Sequence, residues 1–338
     1  MRAYVMTFAL VAFIVSLATA GVIFFLSTGV IVPETYWAAK INEKKLAMVR
    51  RIVGPKIVIV GGSNAHFGLR AEMIEAATHR QTFNLATHFG LGLAYIFFLA
   101  KPVLHRGDIV ILPVEYDAYL GNAPLLNELN VSVSYSLGLG YFWHLGLADE
   151  IHYFRELTRH QIWLAMMIRL GQEPAPQRAV VGYQPATVNR WGDETERANP
   201  EVPSDNIEDY EHRICPAHFD PDASGAADLR RFVAWAKANG ILVLATWPNV
   251  LEDSCQTAPP FATLEAKIRS FWRELDVQVI GTPQHAMLPL SLMRDSVYHP
   301  RVRGATLRTE RFIKELCAET SLCSQGDGLS LGPRPAAP

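Results

Sequence analysis

The sequence predicts an α/β protein built on a doubly wound parallel sheet, with an N-terminal transmembrane helix and a helical and loop insertion. Three observations lead to this fold class. Short β-branched runs alternate with helical patterns, which is typical of a parallel sheet covered by helices on both faces. A long apolar segment precedes the alternation, and a Pro-rich stretch interrupts it. With 338 residues, 49% of them hydrophobic, the chain is long enough for a well-packed core.

The N-terminal segment has the length and composition of a membrane anchor. Residues 3–33 carry no charged side chain, and about 20 apolar residues are enough to cross the hydrocarbon core. We predict that residues 1–33 form this anchor, with residues 4–31 in the membrane. The alternative is a cleaved signal peptide, because Ala18, Thr19 and Ala20 have the small-x-small form of a cleavage site. Apolar sequence continues beyond that site to Leu26, which favours a retained anchor.

Two features disagree about the side of the membrane on which the globular domain lies. Only Arg2 precedes the span, and the basic residues that follow it are Lys40, Lys44, Lys45, Arg50 and Arg51. That asymmetry favours a cytoplasmic domain. The cysteines are consistent either with disulfides in an oxidising compartment or with buried free thiols: Cys215, Cys255, Cys317 and Cys323. Our prediction is a single-pass protein of the cell membrane whose domain is extracytoplasmic, in the periplasm.

The globular domain is predicted over residues 55–318. A connecting helix in residues 34–54 precedes it and ends at the breaker formed by Gly54 and Pro55. The predicted strands occupy residues 56–60, 82–86, 108–112, 241–245 and 277–280. The predicted domain helices occupy residues 70–78, 91–103, 226–239, 263–275 and 305–317. We place the insertion at about residues 121–225 and predict a disordered tail in residues 319–338.

Composition excludes several classes of partner. The formal net charge is −2 and the basic residues form no stripe that would follow a phosphate backbone, so no nucleic-acid partner is predicted. There is no CxxC pair, so we predict no metal site, and no cofactor is implied. Aromatic residues of the insertion could stack on sugars, although core packing is their more common role: Trp143, Tyr153, Trp163 and Trp191.

The turn after the first predicted strand carries a candidate nucleophile. Gly61 and Gly62 permit a tight turn that presents Ser63 and Asn64 at the start of the next helix. A base that removes the Ser63 proton would make it a nucleophile, and neighbouring backbone N–H groups could hold an oxyanion. The alternatives are a serine that only caps the helix, or a turn that binds phosphate. No Gly-Lys-Ser/Thr follows, so the turn is not a P-loop.

Two later segments supply candidate partners for Ser63. After the second strand, Asn84 could donate its side-chain amide and Gly90 its backbone N–H to an oxyanion, or both could simply form a turn. Before the last helix, Asp295 and His299 lie close together in a loop. A base needs such a carboxylate to fix its tautomer and to stabilise the imidazolium. All three segments are expected at one edge of the sheet, where open α/β folds place their sites.

Together these segments resemble the SGNH hydrolase family, whose blocks are a Ser after the first strand, a Gly or Asn oxyanion donor after the second, and an Asp and His pair near the C-terminus. The resemblance covers roughly residues 57–316 outside the insertion. It is nearest to membrane-tethered SGNH-like proteins that serve polysaccharide or teichoic-acid O-acylation beside membrane-bound O-acyltransferases. It implies a flavodoxin-like sheet of the SGNH type. The resemblance implies that Ser63 is the nucleophile, His299 the base and Asp295 the acid that orients the base. It also implies that Asn64, Asn84 and Gly90 contact the oxyanion or the substrate.

The chain departs from the family pattern in three places. Gly62 stands where the family has Asp before the nucleophile, a change that is common in the tethered relatives. The third block lacks its oxyanion Asn and contains Glu115 and Asp117 instead. Three residues separate Asp295 from His299 where the family usually has two. Glu115 and Asp117 are therefore alternative orienting acids.

The resemblance implies a serine acyltransferase or esterase that acts on acyl esters, acetyl esters in particular, of a cell-envelope glycan through an acyl-enzyme. A membrane-bound O-acyltransferase is the partner that the resemblance implies. The alternative is a catalytically degenerate SGNH-like domain that binds a glycan or serves as a scaffold for such an acyltransferase. A phosphate-binding turn in a nucleotide-dependent enzyme is a third hypothesis.

Overall fold

The computed structural model describes residues 1–120, 126–173, 180, 182–195, 219–253 and 259–323. The helices in chain order are α1 (Arg2–Ser27), α2 (Tyr36–Val49), α3 (Ser63–Gly68), α4 (Ala71–Thr78), α5 (Leu93–Ala100), α6 (Glu128–Leu137), α7 (Leu147–Glu156), α8 (Arg159–Arg169), α9 (Ser224–Ala238), α10 (Pro259–Glu274), α11 (Pro283–Ala286) and α12 (Val302–Glu319). The strands are β1 (Ile57–Ile59), β2 (Thr82–Asn84), β3 (Ile109–Pro113), β4 (Leu242–Thr246), β5 (Val250–Leu251), β6 (Gln278–Ile280) and β7 (Met287–Leu288).

Five strands form one parallel sheet in the order β2-β1-β3-β4-β6. This confirms the predicted α/β class and parallel sheet, and each sheet strand overlaps a predicted one. The chain moves from β1 to β2 on one side and then returns to place β3 on the other side of β1. Ligand sites of open α/β sheets lie at such a reversal, outside the carboxyl ends of the strands. The turns after β1 and β3 are therefore the first place to look for a site.

Alternate side chains of each central strand enter two different hydrophobic cores. Val58 and Val110 pack on one face with residues of α5, α9 and α10. Ile57 and Ile109 pack on the other face with residues of α4 and α12. A strand that is buried on both faces reads as a continuous apolar run, which is why these strands were recognisable in the sequence.

The N-terminal helix α1 is the one described helix that is long and apolar enough to cross a membrane, over residues Ala3–Ser27. Its C-terminal end is joined to the insertion. The Tyr135 hydroxyl of α6 donates to the Phe24 carbonyl at 2.7 Å. Arg169 of α8 donates from Nε to the Leu26 carbonyl and from Nη2 to the Thr28 carbonyl, each at 3.0 Å. The domain thus contacts the end of the apolar helix directly.

Two predictions about the flanking segments need correction. The connecting helix α2 is part of the domain, because one side of it is buried against the core, including Ile41 and Leu46. The tail does not begin at residue 319, since a 3-10 turn follows over Ser321–Cys323 and Leu322 is buried. Cys317 and Cys323 form a disulfide in this region. Cys215, Cys255 and residues 324–338 lie outside the described residues.

Candidate active site

Ser63 begins α3 immediately after the turn that leaves β1. Gly62 precedes it, and the space beside the Gly62 Cα is filled. A Cβ at Gly62 would lie 2.5 Å from the Phe89 Cβ and 2.7 Å from Glu115 Oε1. Only glycine fits at this position without displacing Phe89 or Glu115.

Glu115 follows β3, and its side chain contacts the Ser63 turn, which follows the neighbouring strand β1. Its Oε1 accepts hydrogen bonds from the Ser63 hydroxyl at 3.2 Å, from the Asn64 backbone N–H at 3.0 Å and from Asn64 Nδ2 at 3.0 Å. A carboxylate that occupies these donors leaves no room for a phosphate, so the phosphate-binding hypothesis is not supported. Glu115 fixes the turn that carries the candidate nucleophile and does not orient His299.

Burial raises the pKa of Glu115 from its ordinary 4.5 to about 7, although the hydrogen bonds from Asn64 act in the opposite direction. Between pH 4.5 and 7, the unfolded chain has released this proton while the folded chain retains it. Stability therefore falls as the pH rises through that window, and the loss is complete above it.

Replacement of the ionisable group should remove this pH dependence. Glu115→Gln keeps a side-chain oxygen that can accept from Ser63 and Asn64, but it cannot ionise. At each pH, the unfolding free energy of the wild type is subtracted from that of Glu115→Gln. We expect this difference to increase by about 3 kcal/mol between a pH below 4.5 and a pH above 7. Urea unfolding of the full chain in detergent, followed by tryptophan fluorescence, measures the difference. A difference that does not change with pH would show that Glu115 does not titrate as described.

His299 and Asp295 form a hydrogen-bonded pair in the loop before α12. His299 Nδ1 lies 2.7 Å from Asp295 Oδ1. Two backbone bonds close this loop, from the Arg294 N–H to the His299 carbonyl and from the His299 N–H to the Ser296 carbonyl. The folded-back loop brings the two side chains together despite their unusual spacing. Burial alone would raise the pKa of Asp295, but the hydrogen bond with His299 lowers it overall.

Aromatic residues connect the Ser63 turn with the His299 loop. Phe67 lies one helical turn after Ser63, and its ring centroid is 4.6 Å from that of His299. The Tyr183 ring lies 5.3 Å from the Phe67 ring. Burial raises the pKa of the Tyr183 hydroxyl, and the charges of Glu115 and Asp295 add to the effect. Tyr183 is thus within electrostatic reach of both halves of the site, and the Ser63 side chain lies close enough to its buried hydroxyl to act on its pKa in the opposite direction.

The Ser63 hydroxyl points to Glu115 in this structure, and no hydrogen bond joins it to His299 within the described ranges. Ser63 is only 6% exposed. Cavities of about 620 and 720 Å³ occur elsewhere and are lined by neither Ser63 nor His299.

Two of the predicted oxyanion donors are already used by the fold. Asn84 Nδ2 donates to the carbonyls of Ala65 and Leu69, at 3.0 and 2.9 Å, so this amide fastens α3 to β2. The Gly90 N–H donates to His88 Nδ1 at 3.0 Å. Neither group is free to hold an oxyanion, and that role is withdrawn for both. Asn64 has its donors directed to Glu115 and Pro113.

A buried pair from α2 and α3 lies beside this site, and it was not among the residues predicted from the sequence. Lys45 Nζ lies 2.9 Å from His66 Nδ1, and His66 Nε2 donates to the Gly182 carbonyl at 2.8 Å. Burial lowers the pKa of Lys45 to about 7, and burial followed by the charge of Lys45 lowers that of His66. The one available signal was the placement of His66 three residues after Ser63, on a short helix.

Comparison of the chain with protein-family models and with curated proteins gives no match. By its structure, the chain is an α/β protein with a five-stranded parallel sheet and an N-terminal apolar helix. Its candidate site contains a serine, a histidine paired with a carboxylate, and a buried glutamate.

Proposed function

We propose that the protein is a membrane-anchored serine acyltransferase or esterase of the SGNH type, which acts on acyl esters of a cell-envelope glycan. The observation that carries this proposal is the pair of His299 and Asp295 at 2.7 Å, on a loop packed through Phe67 against the helix that begins with Ser63. A histidine whose Nδ1 is held by a carboxylate presents its other nitrogen as a base.

In the proposed reaction, Ser63 Oγ attacks the ester carbonyl carbon while His299 Nε2 accepts the hydroxyl proton. The tetrahedral intermediate then expels the alcohol, which takes that proton from His299, and an acyl-enzyme remains on Ser63. A glycan hydroxyl or water attacks the acyl-enzyme in a second, equivalent step. Asp295 keeps the Nδ1 proton of His299 in place throughout. The Ser63 hydroxyl must turn away from Glu115 to begin the cycle.

With Asn84 and Gly90 engaged elsewhere, two other groups are available to hold the oxyanion. One is the Ser63 backbone N–H, which has no acceptor inside its own helix because it lies in the first turn. The other is the buried Tyr183 hydroxyl, which lies close to the Ser63 side chain. Donors of this kind stabilise a developing negative charge.

We propose that the domain lies on the extracytoplasmic side, in the periplasm. The disulfide of Cys317 and Cys323 is typical of oxidising compartments. The positive cluster after the span is also weaker than the sequence indicated, because Lys45 is fully buried and its pKa is lowered to about 7. Lys44 is tied to the carbonyl of Val188 at 3.1 Å. The partner in this proposal is a membrane-bound O-acyltransferase.

A specific observation favours a second candidate function. The bond of Ser63 to Glu115 and the deep burial of Ser63 are what a non-catalytic domain would show. In that case the protein would bind a glycan or serve as a scaffold for an acyltransferase, and Ser63 would have a structural role. Reactivity of Ser63 separates the two candidates.

We expect a serine-directed fluorophosphonate to label the purified full chain in detergent, and Ser63→Ala to abolish the labelling. The physical reason is that only a serine activated by a base attacks the phosphorus at a useful rate. Gel fluorescence after labelling measures the effect.

Ser270→Ala is the matched control, since Ser270 is a half-buried serine on α10 and its replacement should leave labelling unchanged. Circular dichroism establishes that each variant is folded. A folded wild-type chain that takes up no label would favour the scaffold.

A further inference from the structure

Large hydrophobic side chains are exposed on one part of the insertion. Beyond α1, most of the exposed large hydrophobic side chains in the described part of the chain lie between residues 143 and 170, and we name them the apolar collar: Trp143, Leu147, Ile151, Phe154, Trp163 and Leu170. The remaining ones are separated in sequence: Val53, Leu242, Leu290 and Val302. Single exposed hydrophobic residues are ordinary, but a concentration of them marks an interaction surface.

The collar residues follow helical spacing. Leu147, Ile151 and Phe154 are separated by four and three residues, so they share one face of α7. They are exposed by 75%, 50% and 52%, whereas Tyr153 on the other side of the helix is fully buried. On α8, Trp163 is exposed while Ala165 packs inward. Helix α7 therefore has an apolar face directed away from the core, and α8 exposes one large aromatic ring, that of Trp163.

The collar adjoins the end of the membrane-spanning helix. The Phe154 ring centroid lies 5.2 Å from that of Phe24 in α1. Ala165 of α8 shares a small hydrophobic cluster with Val30 and Val32, which follow α1. Together with the hydrogen bonds from Arg169 to Leu26 and Thr28, these contacts fix α7 and α8 beside the point where α1 leaves its apolar environment.

The other residues of these helices suit the boundary between acyl chains and headgroups. Trp163 is a residue type enriched at that depth, because its ring is apolar and its N–H is polar. Arg155 and Arg159 are exposed on the same two helices, and arginine extends its charged head to water or phosphate while its stem covers apolar surface.

We propose that α7 and α8 lie in the interface of the bilayer that α1 crosses, with the apolar collar inserted at the level of the headgroups and the first acyl carbons. Amphipathic helices bind membranes in this manner. The occupant of the collar is lipid. The domain is then held at a fixed tilt by two contacts, the span and the collar, and does not rotate on a single tether. The proposal is independent of the chemistry at Ser63.

The test uses the full chain, reconstituted into vesicles of phosphatidylcholine and phosphatidylglycerol without any other protein. A lipid-soluble diazirine generates a carbene among the acyl chains, and mass spectrometry of peptides locates the label. We expect peptides from α7 and α8 to carry several-fold more label per residue than the peptide that contains Leu242, which is exposed on β4. Label confined to α1 would overturn the proposal and would favour a protein partner for the collar.

A charged substitution within the collar provides the second readout. Ile151→Glu should reduce labelling of α7 several-fold and leave labelling of α1 unchanged, because a carboxylate is excluded from the acyl region. Leu242→Glu is the matched control, and it should change neither. Both positions are exposed, so the variants are expected to fold. Unchanged labelling of α7 in Ile151→Glu would contradict insertion.

Discussion

His299→Ala should lower the rate of ester hydrolysis by about 10³-fold or more, because the proton of Ser63 then has no acceptor at the moment of attack. The effect belongs in kcat, since His299 acts on the nucleophile and not on ground-state binding. Asp295→Asn should show a smaller but still large loss, because an amide no longer holds the required tautomer. Hydrolysis of p-nitrophenyl acetate by the full chain in detergent measures both.

The chain contains a matched control for this experiment. His285 Nδ1 lies 2.6 Å from Glu315 Oε1, so it is also a histidine paired with a carboxylate, but no serine of the described segments is hydrogen-bonded to it. It is 58% exposed. His285→Ala should hydrolyse the ester at nearly the wild-type rate. If His299→Ala retained most of the activity, the base would have to be sought elsewhere, with Glu115 as the first group to examine.

Gly62→Asp should strongly lower the activity of Ser63, because the space beside the Gly62 Cα is filled. The new Cβ would lie 2.5 Å from the Phe89 Cβ and 2.7 Å from Glu115 Oε1, so the turn must move. Displacing a nucleophile by about 1 Å costs about 10²-fold in rate, and overpacking costs about 1–3 kcal/mol of stability. Gly62→Ala should show the effect of the steric clash alone. Gly62→Asp adds electrostatic repulsion between the new carboxylate and Glu115.

Ester hydrolysis and urea unfolding of the same preparations measure these two effects. Gly146→Ala is the control, because a Cβ at Gly146 meets nothing within 4 Å and its φ of −83° suits any residue. It should leave activity unchanged. Wild-type hydrolysis by Gly62→Asp would mean that the space beside Gly62 opens without cost, and that Glu115 does not fix the turn.

The sheet was predictable because each of its strands appears in the sequence as a short local pattern. Residues 56–60 and 108–112 are short apolar runs next to Gly, Pro or Asp, and the structure places β1 and β3 inside them. Ser63 and His299 could also be proposed as site residues from the sequence alone. Each lies directly after a strand or before the terminal helix, where a doubly wound fold gathers its polar side chains.

The remaining parts of the site depend on contacts between distant segments, which leave no pattern in the sequence. Tyr183 comes from the insertion and Lys45 from the connecting helix, and both lie in the site region only after the chain has folded. Asn84 was the right residue type for an oxyanion donor. Its two amide hydrogens are nevertheless donated to the carbonyls of Ala65 and Leu69, and no local sequence pattern indicates this.

In the proposed mechanism, Ser63 receives an acyl group from a donor ester and passes it to an acceptor hydroxyl or to water. The acyl-enzyme can be detected by brief incubation of the full chain with an activated acetyl ester, followed by acid quenching and peptide mass spectrometry. We expect one added acetyl group on the peptide that contains Ser63, and its absence in Ser63→Ala. An acetyl group found only on other residues, or none on a chain shown to be folded, would rule out this mechanism.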